Sequence, residues 1–74
     1  MSITGAQIRA ARALLGWSQF ELSRQSGVSE ISIQRIEKGR IQPREPTQAA
    51  IAKAFIKGGL EFVDSVGVLL RATK

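Results

Sequence analysis

The chain has 74 residues, and its 11 lysines and arginines against six acidic residues give a net charge of +5. Apolar residues make up 43% of it, enough for one small folded domain, so we take residues 1–74 as a single domain. Because cysteine and histidine are both absent, disulfides, thiolate or imidazole metal sites and a histidine base are excluded. We therefore expect no catalytic residue, no metal and no cofactor, and we expect an anionic partner.

No apolar stretch approaches the roughly 20 residues that a membrane-spanning helix needs. The first five residues, Met1–Gly5, also lack the basic start and apolar centre of a signal peptide. We expect a cytoplasmic protein, associated with the nucleoid and without contact to a membrane.

The sequence predicts four helices, over residues about 4–15, 18–26, 29–38 and 46–57. In the first, Thr4 is a candidate N-cap and Gly16 a candidate C-cap. Ile8, Ala11 and Leu15 follow the helical spacing and share one face. That face is expected to pack on the core.

The next two helices are short and are joined by a tight turn. Ser18 and Glu21 have the spacing of a capping box at the start of the second helix. Gly27 allows the left-handed backbone that such a turn needs, and Val28 is placed to fill the angle between the helices. Ser29 caps the third helix, so residues 18–39 have the geometry of a helix-turn-helix.

A polar loop with a proline separates this motif from the fourth helix. Pro46 suits the first turn of that helix, and Gly58–Gly59 closes it. From Leu60 onwards the apolar residues alternate, with turn chemistry at Asp64–Ser65 and Gly67. We expect a short hairpin over about 60–71, or a single strand that seeks a partner.

The predicted fold is all-α, a four-helix bundle with a central helix-turn-helix, plus the short C-terminal β-hairpin or strand. Its expected core consists of the large apolar residues that fall on inward faces: Trp17, Leu22, Val28, Ile33, Ile36, Ile51, Phe55, Leu60 and Phe62. Phe20 is left open, since it packs on Trp17, packs on the tail, or lies exposed.

The motif resembles the phage-repressor and Cro-like (XRE-type) helix-turn-helix family. The agreeing residues lie within residues 6–57 and are Gln19, Leu22, Ser23, Gly27, Val28, Ser29, Ile33, Ile36, Glu37 and Gly39. The ending, residues 59–64 and 67–71, resembles a compact bacterial subgroup. Ser23 stands where the family usually has Ala, and Phe20 stands where it is usually polar.

This resemblance implies a lambda-repressor-like fold that binds DNA. It implies that Gln19 contacts a backbone phosphate and braces the base-reading residues. It also implies an ion pair between Arg12 and Glu37 that joins the first and third helices, so these two residues are assigned to structure and not to DNA contact.

The third helix has two unlike faces. With 100° per residue, Ile33 and Ile36 fall on the core side, while Ile31, Gln34, Arg35 and Lys38 fall opposite. Arginine can bond to guanine, glutamine to adenine, glutamate to the cytosine amino group, and an apolar group can touch the thymine methyl. We predict that the base-reading residues are those nearest the start of this helix: Glu30, Ile31, Gln34 and Arg35. The alternative is an ordinary solvated helix face.

Phosphate contacts would provide affinity and register. The start of the second helix, at Ser18 and Gln19, offers free backbone amides to a phosphate. Lys38, Arg40 and Arg44 are candidate phosphate-binding residues because of their place near the loop. For each, a solvated charge is the alternative.

One such helix reads only a few base pairs, and proteins of this kind usually pair to read two half-sites. The alternating tail is the one spare apolar element, so we expect a homodimer in which the C-terminal hairpin takes part. The hairpin could equally do no more than cover its own core.

Two functions are compatible with the sequence. The first is a small bacterial or phage-type transcriptional regulator, a repressor for instance, that binds a double-stranded DNA operator. The second is a protein-interaction module, such as the antitoxin of a toxin–antitoxin pair. An enzyme is not expected.

Overall fold

The computed structural model describes residues 3–62 and 68–70, the last three by their backbone alone. Four helices are formed: α1 (Gly5–Leu15), α2 (Gln19–Ser26), α3 (Glu30–Glu37) and α4 (Glu45–Lys57). Two short strands follow, β1 (Leu60–Phe62) and β2 (Val68–Leu70). The mostly helical fold predicted from the sequence is confirmed, and each helix end lies within one residue of its predicted position.

Capping side chains set where the first three helices begin. Thr4 accepts from the amide of Gln7 while the Gln7 side chain bonds back to the Thr4 amide, which makes a complete capping box on α1. The predicted capping box on α2 is formed only in part. Ser18 accepts from the Glu21 amide at 3.0 Å, but the Glu21 carboxylate accepts hydrogen bonds from Arg24 and Gln25.

This surface cluster on α2 perturbs the carboxyl group at its centre. Hydrogen bonds from Arg24 and then from Gln25 lower the pKa of the Glu21 carboxyl below its usual value. The same ion pair raises the pKa of Arg24. Because Arg24 is well exposed, this pair contributes little to folding.

The core lies where all four helices and β1 meet. Its fully or nearly buried apolar residues are Ile3, Ile8, Ala11, Leu22, Ile33, Ile36, Ile51, Ala52, Ala54, Phe55 and Leu60, with Leu15, Trp17, Val28 and Phe62 packed against them. Every residue predicted for the core belongs to one of these two groups. The ring of Phe55 is central, since it stacks on Trp17 at 5.6 Å and meets Phe62 edge-on at 6.1 Å.

The two strands pair antiparallel, with Leu60 opposite Leu70 and Phe62 opposite Val68. The predicted turn residues Asp64, Ser65 and Gly67, and the end of the predicted hairpin at Arg71, lie outside the described residues. Leu60 is 3% exposed, so β1 closes one side of the core. The sheet therefore takes part in the folded domain.

Glycine at position 5 permits the closest contact between α1 and α3. A Cβ there would lie 2.7 Å from the carbonyl oxygen of Ile36 and 3.0 Å from the Cα of Glu37. Both atoms belong to the backbone and cannot move aside as a side chain would. The start of α1 is thus packed directly on the end of α3.

Candidate nucleic-acid interface

The turn between α2 and α3 fixes the angle at which α3 is presented. Gly27 ends α2 with φ of 78°, the left-handed conformation that glycine adopts readily. Ser26 bridges the turn, because its hydroxyl donates to the carbonyl of Leu22 at 2.7 Å and accepts from the amide of Val28 at 3.1 Å. Val28 packs against the core, as predicted. The sequence analysis did not single out Ser26.

Helix α3 is held by a narrow buried stripe. Ile33 and Ile36 are 0% and 3% exposed, and Glu37 is the third buried residue of this eight-residue helix. At its start the Ser29 hydroxyl accepts from the amide of Ser32 at 3.1 Å and so caps the helix. The remainder of α3 is free to face a partner.

The four predicted base-reading residues are all exposed, and they share the outer surface of α3: Glu30, Ile31, Gln34 and Arg35. Ile31 is 57% exposed, on the side of the helix away from Ile33 and Ile36. Since α3 is anchored from behind, this surface is rigid and carries a carboxylate, an amide, a guanidinium and an aliphatic group. Those are the groups with which proteins distinguish base edges in a major groove.

An ion pair locks the other end of α3 to α1. The Arg12 guanidinium donates to both Glu37 carboxylate oxygens, from Nε to Oε2 at 2.7 Å and from Nη2 to Oε1 at 2.9 Å. The Glu37 side chain is 4% exposed and that of Arg12 is 20% exposed. Hydrogen bonding to Glu37 raises the pKa of Arg12 above its usual value, against the opposing effect of burial. The ion pair expected from the resemblance is therefore present in the structure.

Two further residues join this junction. Arg12 also donates through Nη1 to the carbonyl of Trp17 at 3.0 Å, and Arg9 donates to the backbone carbonyl of Glu37. Gln19 donates from Nε2 to Oε1 of Glu37 at 3.2 Å. Three helices thus meet at one carboxylate, and among the described residues no buried side-chain nitrogen or oxygen lacks a hydrogen-bond partner.

The predicted phosphate-binding residues fall into two groups. Ser18 and Gln19 stand at the start of α2, where the first backbone amides of a helix have no intrahelical partner. The Ser18 hydroxyl already caps the helix, and the half-buried Gln19 side chain is already bonded to Glu37. Any contact that these two make with a phosphate therefore comes from backbone amides or requires the Gln19 amide to be shared.

The second group consists of three exposed cations around the loop between α3 and α4. Lys38 is the C-cap of α3, and Arg44 is the N-cap residue of α4 but makes no side-chain capping bond. Arg40 is tied back to α3, since its amide donates to the carbonyl of Arg35 at 2.9 Å. These cations border the same end of α3 and leave their side chains exposed to solvent.

The structure also settles where Phe20 lies. Its side chain is 60% exposed on α2, so the third of the three predicted alternatives applies. None of the helices in residues 3–62 is long and apolar enough to cross a membrane. Within the described residues, no three acidic side chains come together as metal ligands would.

Comparison with known protein families matches residues 4–55 to the family described as helix-turn-helix domain. The match covers α1 to α3 and most of α4, which include the turn at Gly27 and the exposed surface of α3. No curated protein matches the chain at a significant level. Sequence motif, backbone geometry and family match agree, and the chain belongs to the helix-turn-helix family of XRE/Cro-like DNA-binding domains.

Proposed function

We propose that this protein is a sequence-specific regulator of transcription that binds an operator in double-stranded DNA. The observation that carries the proposal is the outer surface of α3, where Glu30, Ile31, Gln34 and Arg35 are all exposed on a helix anchored by buried residues. Membership of a DNA-binding family supports binding itself. The chemistry of these four side chains supports a choice of sequence.

Each residue has a proposed task. Arg35 would donate to guanine O6 and N7, Gln34 would bond to adenine, and Ile31 would touch a thymine methyl group. Glu30 would accept from a cytosine amino group, although an acidic residue in the first turn also favours the helix by itself. The task of these residues is discrimination between sequences.

Affinity would come from the backbone of the DNA. The exposed cations Lys38, Arg40 and Arg44 are proposed to bind phosphates beside the groove that α3 enters. The amides at the start of α2 would bind another phosphate with the help of the helix dipole. The net charge of +5 would speed association with any nucleic acid.

We also propose that the protein acts as a homodimer. One α3 helix spans too few base pairs to single out a site in a genome, and paired domains read half-sites about 34 Å apart. The strand pair β1–β2 is the element proposed to take part, since a sheet of two strands offers edges for pairing with a second copy. Sedimentation of the intact chain tests this, and a monomer at every concentration used for DNA binding would contradict it.

The principal experiment is selection of bound sequences from a random double-stranded DNA pool at about 150 mM salt, where non-specific binding is weak. We expect an enriched inverted repeat with half-site centres about 10 bp apart. Enrichment of a single half-site would retain sequence-specific binding and reject the dimer. No enrichment, with binding that vanishes as salt rises, would reject sequence-specific binding.

A protein-interaction module, such as an antitoxin, is the second candidate. The 60% exposure of Phe20 on α2 favours it, because an aromatic ring facing solvent is a common anchor at protein interfaces. The two candidates respond differently to one substitution. Phe20→Gln would leave DNA selection unchanged if the ring contacts a protein partner, and that partner's binding would be lost.

A further inference from the structure

One side chain on α4 connects the start of the chain to the loop between α3 and α4. The half-buried Gln48 accepts at Oε1 from the backbone amide of Ile3, at 2.9 Å. Its Nε2 donates to the backbone carbonyl of Pro43, at 3.1 Å. A single amide group therefore holds two segments that are 40 residues apart in the sequence.

The two segments that Gln48 joins also pack on each other. Ile3 is 3% exposed and Pro43 is buried, so both ends of the bridge are anchored. Gly5, Gly39 and Ile41 line the same cleft between the start of α1 and the loop. The segment from Ile3 to Gly5 thus forms one wall of the cleft and the loop forms the other.

The loop is the part of the molecule that carries the exposed arginines. Arg40 stands at its start, where the bond from its amide to Arg35 ties it to α3. Arg44 stands at its end, directly after Pro43, and has no side-chain capping bond of its own. The bond from Gln48 to Pro43 therefore holds the loop backbone at its Arg44 end.

We propose that Gln48 is a positioning residue for phosphate binding by this loop. By fixing Pro43 against the start of the chain, it would hold the backbone that carries Arg44 in the place from which that guanidinium reaches a phosphate. Gln48 itself has no charge and need not touch the DNA. The inference rests on the proposed DNA binding and adds a residue that acts through the loop.

The test variant is Gln48→Met, which removes both hydrogen bonds while keeping the net charge and nearly the length of the side chain. The probe is a 20-bp duplex of mixed sequence, which reports phosphate binding without base reading. Binding is followed by fluorescence anisotropy between about 50 and 200 mM salt, where the slope of log affinity against log salt is about −0.9 for each phosphate bound.

We expect the slope for Gln48→Met to be shallower by about 0.9 for each phosphate that the loop no longer binds, with about one or two such phosphates. The affinity advantage of the wild type would then shrink by about 3- to 4-fold for each of these phosphates between the two salt concentrations. Reduced stability alone would not change the slope, because folded molecules would still bind every phosphate. An unchanged slope would overturn the proposal.

Ile51→Val is the matched control. Ile51 lies on α4 one turn beyond Gln48, is 1% exposed, and weakens the packing of the same helix from its buried side when shortened. We expect it to lower the melting temperature and keep the wild-type slope. If it flattened the slope as much as Gln48→Met, a positioning role for Gln48 would be rejected.

Hydrogen exchange measured by NMR is the second readout. The Ile3 amide should exchange faster in Gln48→Met than in Ile51→Val, and the Arg44 signals should shift only in the former. Wild-type protein that failed to bind the duplex would reject the proposed function at the outset. Binding by the wild type, with equal slopes and equal Ile3 exchange in both variants, would reject the role of Gln48 alone.

Discussion

Removal of one partner from the Arg12–Glu37 pair should be among the most damaging single substitutions in the protein. Arg12→Met would strand a carboxylate whose side chain is 4% exposed, with the Gln19 amide as its remaining side-chain donor. Breaking a buried ion pair in this way costs about 3–5 kcal/mol. A domain of this size has a total stability of only about 4–11 kcal/mol at 0.05–0.15 kcal/mol per residue.

The reverse substitution should be milder. Glu37→Gln leaves the Arg12 guanidinium with 20% of its side chain exposed and with its bond to the Trp17 carbonyl intact. Water and that carbonyl would satisfy part of the stranded charge, so the destabilisation should fall below that of Arg12→Met. A double variant, Arg12→Met with Glu37→Leu, should recover much of the stability, because no charge remains buried.

The assay is urea unfolding at pH 7, followed by circular dichroism and by the fluorescence of Trp17, whose ring stacks on Phe55. Arg24→Met is the matched control, since it breaks an ion pair on the exposed surface of α2 and should change the midpoint little. The reasoning would be refuted if Arg12→Met were no more destabilising than Arg24→Met, or if the effects in the double variant were simply additive.

Three further predictions follow from separate parts of the molecule. Gly5→Ala should destabilise the fold by about 1–3 kcal/mol, measured by thermal unfolding, because the added methyl group meets the backbone of α3; wild-type stability would show that this contact relaxes freely. Arg35→Ala should lose about 1–3 kcal/mol of discrimination at one base pair in competition binding, whereas Arg40→Ala should weaken binding to all sequences alike and flatten the salt slope. If Arg35→Ala weakened every sequence equally, it would not read a base. The lowered pKa of Glu21 means that its ionised form stabilises the fold above the ordinary carboxyl range, and that this contribution is lost as the pH falls through the lowered pKa. The stability difference between wild type and Glu21→Gln should therefore be constant near neutral pH and shrink in acid, and a difference that persisted in acid would argue against the ion pair as its source.

Local rules predicted most of the fold. Caps at Thr4, Ser18 and Ser29 and the glycines at 16 and 27 each act within a few residues, so spacing alone located them. The inward stripe of α3 followed from helical periodicity, and so did the exposed surface opposite it. The error at Glu21 has the same origin, because Arg24 and Gln25 lie one turn away and compete for the carboxylate that a capping box would use.

Contacts between distant segments were not predictable in this way. Burial of Ile3, the bridge made by Gln48 and the close packing at Gly5 all depend on where the loop after α3 passes the start of α1. No periodicity or spacing marks these residues, since their partners are about 30 to 45 positions away. The Arg12–Glu37 pair would have been missed equally without the family resemblance. The buried Gln7 was different, because its spacing from Thr4 is that of a capping box and could have been noticed.

The division of α3 into two surfaces bears on how this protein could evolve. Ile33, Ile36 and Glu37 connect the helix to the rest of the domain, and the residues proposed to read bases are exposed and make no such connection. Exposed substitutions usually change stability by less than about 0.5 kcal/mol. Folding and recognition are therefore encoded in the same eight-residue helix at different positions. New target sequences can be explored, by mutation or in a designed library, without first compensating for a weakened core.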